Sequence, residues 1–261
     1  MQFQQRSSSA TVSGAGPAAI DDTTLPYADR RAGGRALARL LNGYKGRRNV
    51  LVLALPRGGV PVGYEVARAL GASLDVFVVR KLGVPGQEEL AMGAIASNGA
   101  RVLNAEVMQA LNVSSDVLEA VTHRERREMQ RREELYRGDR GPLSVRGHSV
   151  IVVDDGLATG STMLAAVRAL RQQDAAHIVV GVPVAAAETC RAFRHEVDEI
   201  VCAATPQPFH AVGLWYQNFA ETSDNEVREL LSHNASQAFG DQVSIGQVPV
   251  EDGRISPAES D

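Results

Sequence analysis

This sequence predicts an α/β fold with a doubly wound, mainly parallel central sheet flanked by helices, and two observations carry that prediction. Short, nearly continuous apolar runs rich in Val and Ile recur along the chain: VLVLAL (50–55), LDVFVV (74–79), SVIVV (149–153), HIVVGV (177–182) and EIVCAA (199–204). Runs without polar alternation suit strands buried on both faces, as in parallel sheets. Between them lie segments with helical periodicity, and strands alternating with helices wind a parallel sheet whose ligand site lies at the carboxyl ends of the strands. Composition agrees, since 261 residues of which 44% are hydrophobic and 22% charged can bury a sizeable core.

Taken in order, residues 1–24 are rich in Ser, Ala, Gly and Gln and are expected to form a flexible tail. One domain is expected over 25–235, followed by a second flexible tail over 236–261 that lacks periodicity. After the first apolar run a helix is expected over 60–70, closed by Gly71, the residue type that most readily takes a left-handed C-cap. Residues 104–137 then break the alternation as a helical insertion, with Leu118, Val121, Met129 and Tyr136 as a thin apolar stripe. Its arginines are interleaved with Glu125, Glu128, Glu133 and Glu134, including a Glu128–Arg132 pair at i,i+4, so a solvated helix face is expected. Further helices are expected over 161–172, 186–194 and 224–232, the last opened by a capping box of Ser223 and Glu226.

Charge and cysteine usage narrow the function classes. Lys plus Arg total 27 against 31 Asp plus Glu, a net charge of −4 that argues against a broad nucleic-acid or anionic-membrane surface, so any phosphate site must be local. Cys190 and Cys202 form neither a CxxC pair nor a disulfide framework and are expected to be buried thiols of a reducing compartment. The N-terminal segment lacks a signal-peptide run and the longest apolar stretch is too short to span a bilayer, so a soluble cytoplasmic protein is expected. His210 has no second histidine at ligand spacing, and no metal role is expected of it.

The stretch VIVVDDGLATGSTM, residues 150–163, is where chemistry concentrates. Asp154 and Asp155 end a strand, Gly156 permits a turn, and Leu157, Ala158, Thr159, Gly160, Ser161 and Thr162 lead into a helix. Carboxylates repel a phosphate, whereas a helix N-terminus rimmed with hydroxyls attracts one through unpaired N–H groups and the helix dipole. A sugar phosphate reconciles the two demands, because its hydroxyls can donate to the acids while its 5′-phosphate sits on the helix. Three further segments stand in a compatible order. Arg57, Gly58 and Gly59 follow the first strand, where glycines let backbone approach an anion and Arg57 can clamp it. Arg80 and Lys81 follow the second run, either as cations for an anion or as a snorkelling surface pair, before Gly83, Pro85 and Gly86. Trp215 and Tyr216 either stack on a planar base or cap the core.

The residues VIVVDDGLATGST resemble the phosphoribosyl pyrophosphate (PRPP) signature of the type I phosphoribosyltransferases over that motif's whole length. The resemblance implies that Asp154 and Asp155 hold the ribose 2′- and 3′-hydroxyls and that Gly156 through Thr162 hold the 5′-phosphate. It also implies a pyrophosphate loop at Arg57, Gly58 and Gly59, an Arg80–Lys81 pair on pyrophosphate followed by a closing loop, and a base-binding hood near Trp215 and Tyr216. The cofactor implied is Mg2+, held mainly through substrate and water near Asp154 and Asp155. Ala158 stands where hypoxanthine-guanine members carry a third acid, which weakens a 6-oxopurine assignment and, with the helical insertion, points to a less characterised bacterial branch. The implied partners are small molecules, PRPP and a nucleobase-like acceptor, with homo-oligomerisation left open. Two rivals remain at this point: a PRPP-sensing regulator of the same fold without turnover, and a pyrophosphate-transferring kinase, for which no nucleotide-binding region is found.

Overall fold

The computed structural model describes residues 25–141 and 143–243. In chain order the first half contains α1 (Arg30–Leu40), β1 (Val50–Ala54), α2 (Gly59–Leu70), β2 (Ser73–Val76), β3 (Val79–Val84), β4 (Gln87–Ala96), β5 (Arg101–Leu103), α3 (Ala105–Ala110) and α4 (Ser115–Arg137). The second half contains β6 (Ser149–Val153), α5 (Ser161–Arg171), β7 (His177–Val184), α6 (Ala187–Phe193), β8 (Glu199–Ala204) and α7 (Asp224–Val243).

Five strands form a parallel sheet in the order β2-β1-β6-β7-β8. Leu51 lies opposite Ser73, Val52 opposite Ile151, Ile151 opposite Val179, and Val180 opposite Ile200. Because successive strand side chains point to opposite faces, the central strands β1, β6 and β7 each feed two cores. Val52, Ala54, Ile151, Val153 and Val179 pack with Leu37, Val62, Val66 and Leu230 beneath α1, α2 and α7. Leu53, Val150, Val152, Ile178 and Val180 pack with Met163, Val167, Leu170 and Phe193 of α5 and α6. Burial on both faces is the physical reason these runs carry no polar alternation.

One expected strand divides. The run LDVFVV belongs to two sheets: β2 ends at Val76, Phe77 still donates its N–H to the Ala54 carbonyl at 3.0 Å, and Val78 donates to Ser97 Oγ at 2.9 Å. The chain then enters β3, which pairs antiparallel with β4, as β4 does with β5. Phe77 and Val78 are buried between the two layers, so an unbroken apolar run conceals the change of sheet. Arg80 and Lys81 therefore lie within β3 of the small sheet, not at the end of a core strand. The closing loop expected after them is the β3–β4 hairpin, turning at Gly86 with φ 79°.

The helical insertion is two helices, broken around Asn112, whose φ is 47°, with Ser114 capping α4 by accepting from the Val117 N–H at 3.3 Å. Leu118, Val121 and Met129 bury against Val78, Leu82, Met92 and Ile95, while Tyr136 reaches the main core. The expected Glu128–Arg132 pair is present at 2.9 Å, but Glu125 departs from the solvated face and is buried. At the other end, α7 runs to Val243, so residues 236–243 of the expected C-terminal tail are helical; the remaining tail residues and the whole N-terminal tail lie outside the described residues. The cysteines also depart from expectation, because Cys190 of α6 and Cys202 of β8 form a disulfide. Neighbouring elements bring them together, which a sequence separation of 12 does not reveal. Among the described residues no helix is long and apolar enough to cross a membrane.

Candidate active site

Strand order reverses between β1 and β6, since the chain moves from β1 to β2 on one side and from β6 through β7 to β8 on the other. Adjacent carboxyl ends at such a switch point form the crevice in which open α/β sheets bind ligands. Here those ends deliver Arg57, Gly58 and Gly59 beside Asp154 and Asp155. A Cβ on Gly59 would lie 2.8 Å from the Val153 carbonyl oxygen and 3.0 Å from Asp154 Cα, and one on Gly58 would collide with the Asp155 carboxylate. Only glycines let the first turn lie this close to the acids.

Both acids titrate high. Burial is the main cause for Asp154, whose carboxyl stands well above the usual carboxylate range, and the neighbouring Asp155 charge adds to it. Burial also raises Asp155, opposed by the guanidinium of Arg30, whose Nε donates to Asp155 Oδ2 at 2.8 Å. Asp154 Oδ1 accepts from the Asp155 N–H at 2.8 Å, and Tyr216 Oη donates to the Asp155 backbone carbonyl at 2.5 Å. A buried acid with a raised folded pKa costs stability once the unfolded chain ionises freely, and the cost is full above the folded pKa. Asp154→Asn removes it, so the ligand-free variant is expected to melt higher than the wild type at pH 7.5. Differential scanning calorimetry checks this: the gain should shrink as pH falls towards the ordinary carboxylate range.

The turn after the acids is braced from below. Leu157 donates to the Val184 carbonyl and Ala186 to that of Leu157, both at 2.9 Å, which extends the β6–β7 ladder under the turn. Thr189 Oγ1 on α6 donates to the Ala158 carbonyl at 2.5 Å. Gly160 takes φ 76°, and a Cβ there would meet the Phe193 ring at 2.6 Å, so backbone and space both require glycine. Thr159, Ser161 and Thr162 are exposed around the first turn of α5, where backbone N–H groups lack intrahelical acceptors.

The cations expected on pyrophosphate have different surroundings. Arg57, half-buried, pairs with Glu221 and lies 3.6 Å from Asp224, which also accepts from Tyr136 Oη at 2.7 Å. Burial and that contact push the Tyr136 hydroxyl up to about 12. Arg80 is drawn away to α4, where its Nη2 meets Glu125 Oε2 at 2.6 Å. Lys81, on the opposite face of β3, lines a groove of about 540 Å3 together with Ser161, Thr162 and Arg168. Arg57 thus starts from the turn beside the acid pair but pairs with Glu221 and Asp224, Lys81 shares a groove with the first turn of α5, and Arg80 ties the small sheet to the insertion.

In the expected hood, Tyr216 is buried between Tyr27 and Phe219, at centroid distances of 5.9 and 5.2 Å. Its hydroxyl is pushed far up by burial, so it remains a neutral donor to Asp155. Trp215 is half-buried and stacked on Phe209 at 6.3 Å, and its Nε1 has no hydrogen-bond partner among the described residues. Arg30, Glu221 and Asp224 escaped the sequence reading. Nothing local marks Arg30, because Asp29 already caps α1 by accepting from the Ala32 N–H at 2.7 Å and so serves the helix dipole.

Comparison with known proteins bears on this arrangement. The family model described as phosphoribosyl transferase domain matches residues 27–212, which include both glycine turns and the acid pair. Two curated Mycobacterium tuberculosis proteins, each called "Putative phosphoribosyl transferase", are 43% identical over 240 residues, covering 86% of this chain and 54% of theirs. The chain thus spans about half the length of the curated relatives it matches. A crystal structure of a Thermus thermophilus protein superposes with a TM-score of 0.70 at 40% identity, covering 79% of this chain and 97% of that one.

Proposed function

The chain belongs to the phosphoribosyl transferase family, and we propose that it uses PRPP and Mg2+ to transfer a 5-phosphoribosyl group to a nitrogenous base. What carries the reading is one juxtaposition: an acid pair, a hydroxyl-rimmed helix start and a glycine turn with its arginine, gathered at the switch point of the sheet. Asp154 and Asp155 would accept from the ribose hydroxyls, and the turn from Gly156 to Thr162 would take the 5′-phosphate. The C1–oxygen bond breaks with its electron pair leaving on pyrophosphate, a ring nitrogen of the base bonds to C1, and the nitrogen's proton passes to solvent. Such a centre passes through an oxocarbenium-like state, which the nearby carboxylates favour electrostatically. Arg57, exchanging Glu221 for the pyrophosphate, would neutralise the leaving group, with Lys81 across the groove. The base would lie on the side of Trp215.

Mg2+ fits this donor set. Asp154 and Asp155 offer hard carboxylate oxygens, and Mg2+ is commonly held by one or two carboxylates together with substrate phosphates and water, so these two residues would hold it beside the substrate. Bound there, it would neutralise pyrophosphate charge.

The test is release of pyrophosphate from PRPP and Mg2+ across a panel of nucleobases, with turnover expected for at least one. Tight PRPP binding without turnover for any base would favour the non-catalytic sensor. A second measurement isolates Arg57. Arg57→Ala is expected to cut kcat/KM about ten-fold or more, in line with roughly 1.5–3 kcal/mol for a hydrogen bond to a charged group, while changing affinity for a nucleoside 5′-monophosphate little. Equal losses in both would make Arg57 structural.

A further inference from the structure

Arg30 lies outside the motifs of the site but touches both of its halves. Its Nε donates to Asp155 Oδ2 at 2.8 Å, its Nη1 donates to the Ala220 carbonyl at 2.6 Å, and its guanidinium carbon lies 3.8 Å from the Phe219 ring centroid. The Arg30 and Asp155 side chains are 12% and 17% exposed. We infer that Arg30 is a positioning residue that orients the Asp155 carboxylate for a ribose hydroxyl and fastens it to the segment following Trp215. The inference rests on the reading in which Asp155 receives that hydroxyl.

Three features of the surroundings support it. First, the segment is already zipped to the chain that carries Arg30: Tyr27 donates to the Trp215 carbonyl at 2.8 Å, Gln217 to that of Tyr27 at 2.7 Å and Asn218 to that of Ala28 at 3.0 Å. Arg30 closes this ladder onto the acid from one side, and Tyr216 Oη closes it onto the same residue's backbone from the other. Second, the glycine turn is packed into the contact, since a Cβ on Gly58 would sit 3.3 Å from Arg30 Nε. The carboxylate is thus confined between a turn that cannot carry a side chain and a guanidinium that cannot rotate without leaving Ala220 and Phe219. Third, the role needs arginine chemistry. A planar fork serves two acceptors in fixed directions and stacks on an aromatic face, whereas an ammonium supplies charge without that geometry. The cost of a cation in the first turn of α1 is offset by the Asp155 charge together with that of Asp29, the N-cap of α1.

Calorimetric affinities for ribose 5-phosphate and 2,3-dideoxyribose 5-phosphate, measured on the full chain, test the inference. The wild type should prefer the sugar that keeps its hydroxyls. In Arg30→Ala that preference should shrink by about ten-fold, the scale of one charge-assisted hydrogen bond, with affinity for the dideoxy sugar unchanged. Arg30→Lys should recover part of the preference, and it supplies the comparison by itself if thermal melts show that Arg30→Ala does not fold. An undiminished preference in the variants, or equal losses for both sugars, overturns the positioning role. A wild type that binds both sugars alike overturns the ribose role of Asp155, and that of Arg30 with it, so the two failures are told apart by the wild type.

Discussion

Replacing Asp154 and Asp155 together by Asn is expected to lower PRPP affinity by about two orders of magnitude or more, since each hydrogen bond to a charged group is worth roughly 1.5–3 kcal/mol. The two single variants should split in a way that ordinary structural acids would not. Asp154 is the acid whose burial holds it furthest above the usual range, so Asp154→Asn gains stability while losing ligand. Burial raises Asp155 as well, but the Arg30 guanidinium opposes it and would lose its hydrogen-bonded counter-charge, so Asp155→Asn should gain less stability than Asp154→Asn while binding worse. Calorimetric affinity together with a melt of each variant reads both effects. Unchanged PRPP affinity in the double variant would place the ligand elsewhere.

Gly59→Ala is expected to have the second largest effect, on stability and binding together. The added methyl would meet main-chain atoms on the β6 side, the Val153 carbonyl oxygen and Asp154 Cα, which cannot swing aside as a flexible side chain can. Overpacking of this kind costs roughly 1–3 kcal/mol. Relief comes from moving the β1–α2 turn away from the acids, which would withdraw Arg57 from the crevice. A lower melting temperature with a weaker affinity for pyrophosphate is therefore expected. At Gly58 the obstacle is the Asp155 carboxylate, so Gly58→Ala should act by displacing that acid from Arg30. A Gly59→Ala protein that melts and binds like the wild type would show that the close approach of the two turns is not needed.

Much of the fold could be read from local pattern. The strand at 149–153 and that at 199–204 coincide with their apolar runs, α2 ends on Gly71 with φ 66°, and Ser223 Oγ accepts from the Glu226 N–H at 3.1 Å at the start of α7. Each of these is set by residues within a few positions of one another: periodicity, a left-handed cap, a hydroxyl at a helix start. The division of LDVFVV between two sheets was not legible, because Phe77 and Val78 are as apolar as strand residues of the main sheet. Their burial comes from a second layer that the sequence nearby does not announce.

The site divides along the same line. The acid pair, the small-residue turn with its hydroxyls and the paired glycines are legible along the chain, since a strand end, a tight turn and a helix N-terminus are local objects with local requirements. Which charges meet is settled by folding. Arg30 reaches Asp155 across a separation of 125 residues, Arg57 reaches Glu221 across 164, and Arg80 is taken by Glu125 across 45. The physical reason is that a long cation can pair with any carboxylate in reach. What comes within reach is fixed by the reversal of strand order between β1 and β6 and by the packing of α4 on the small sheet, not by spacing along the chain.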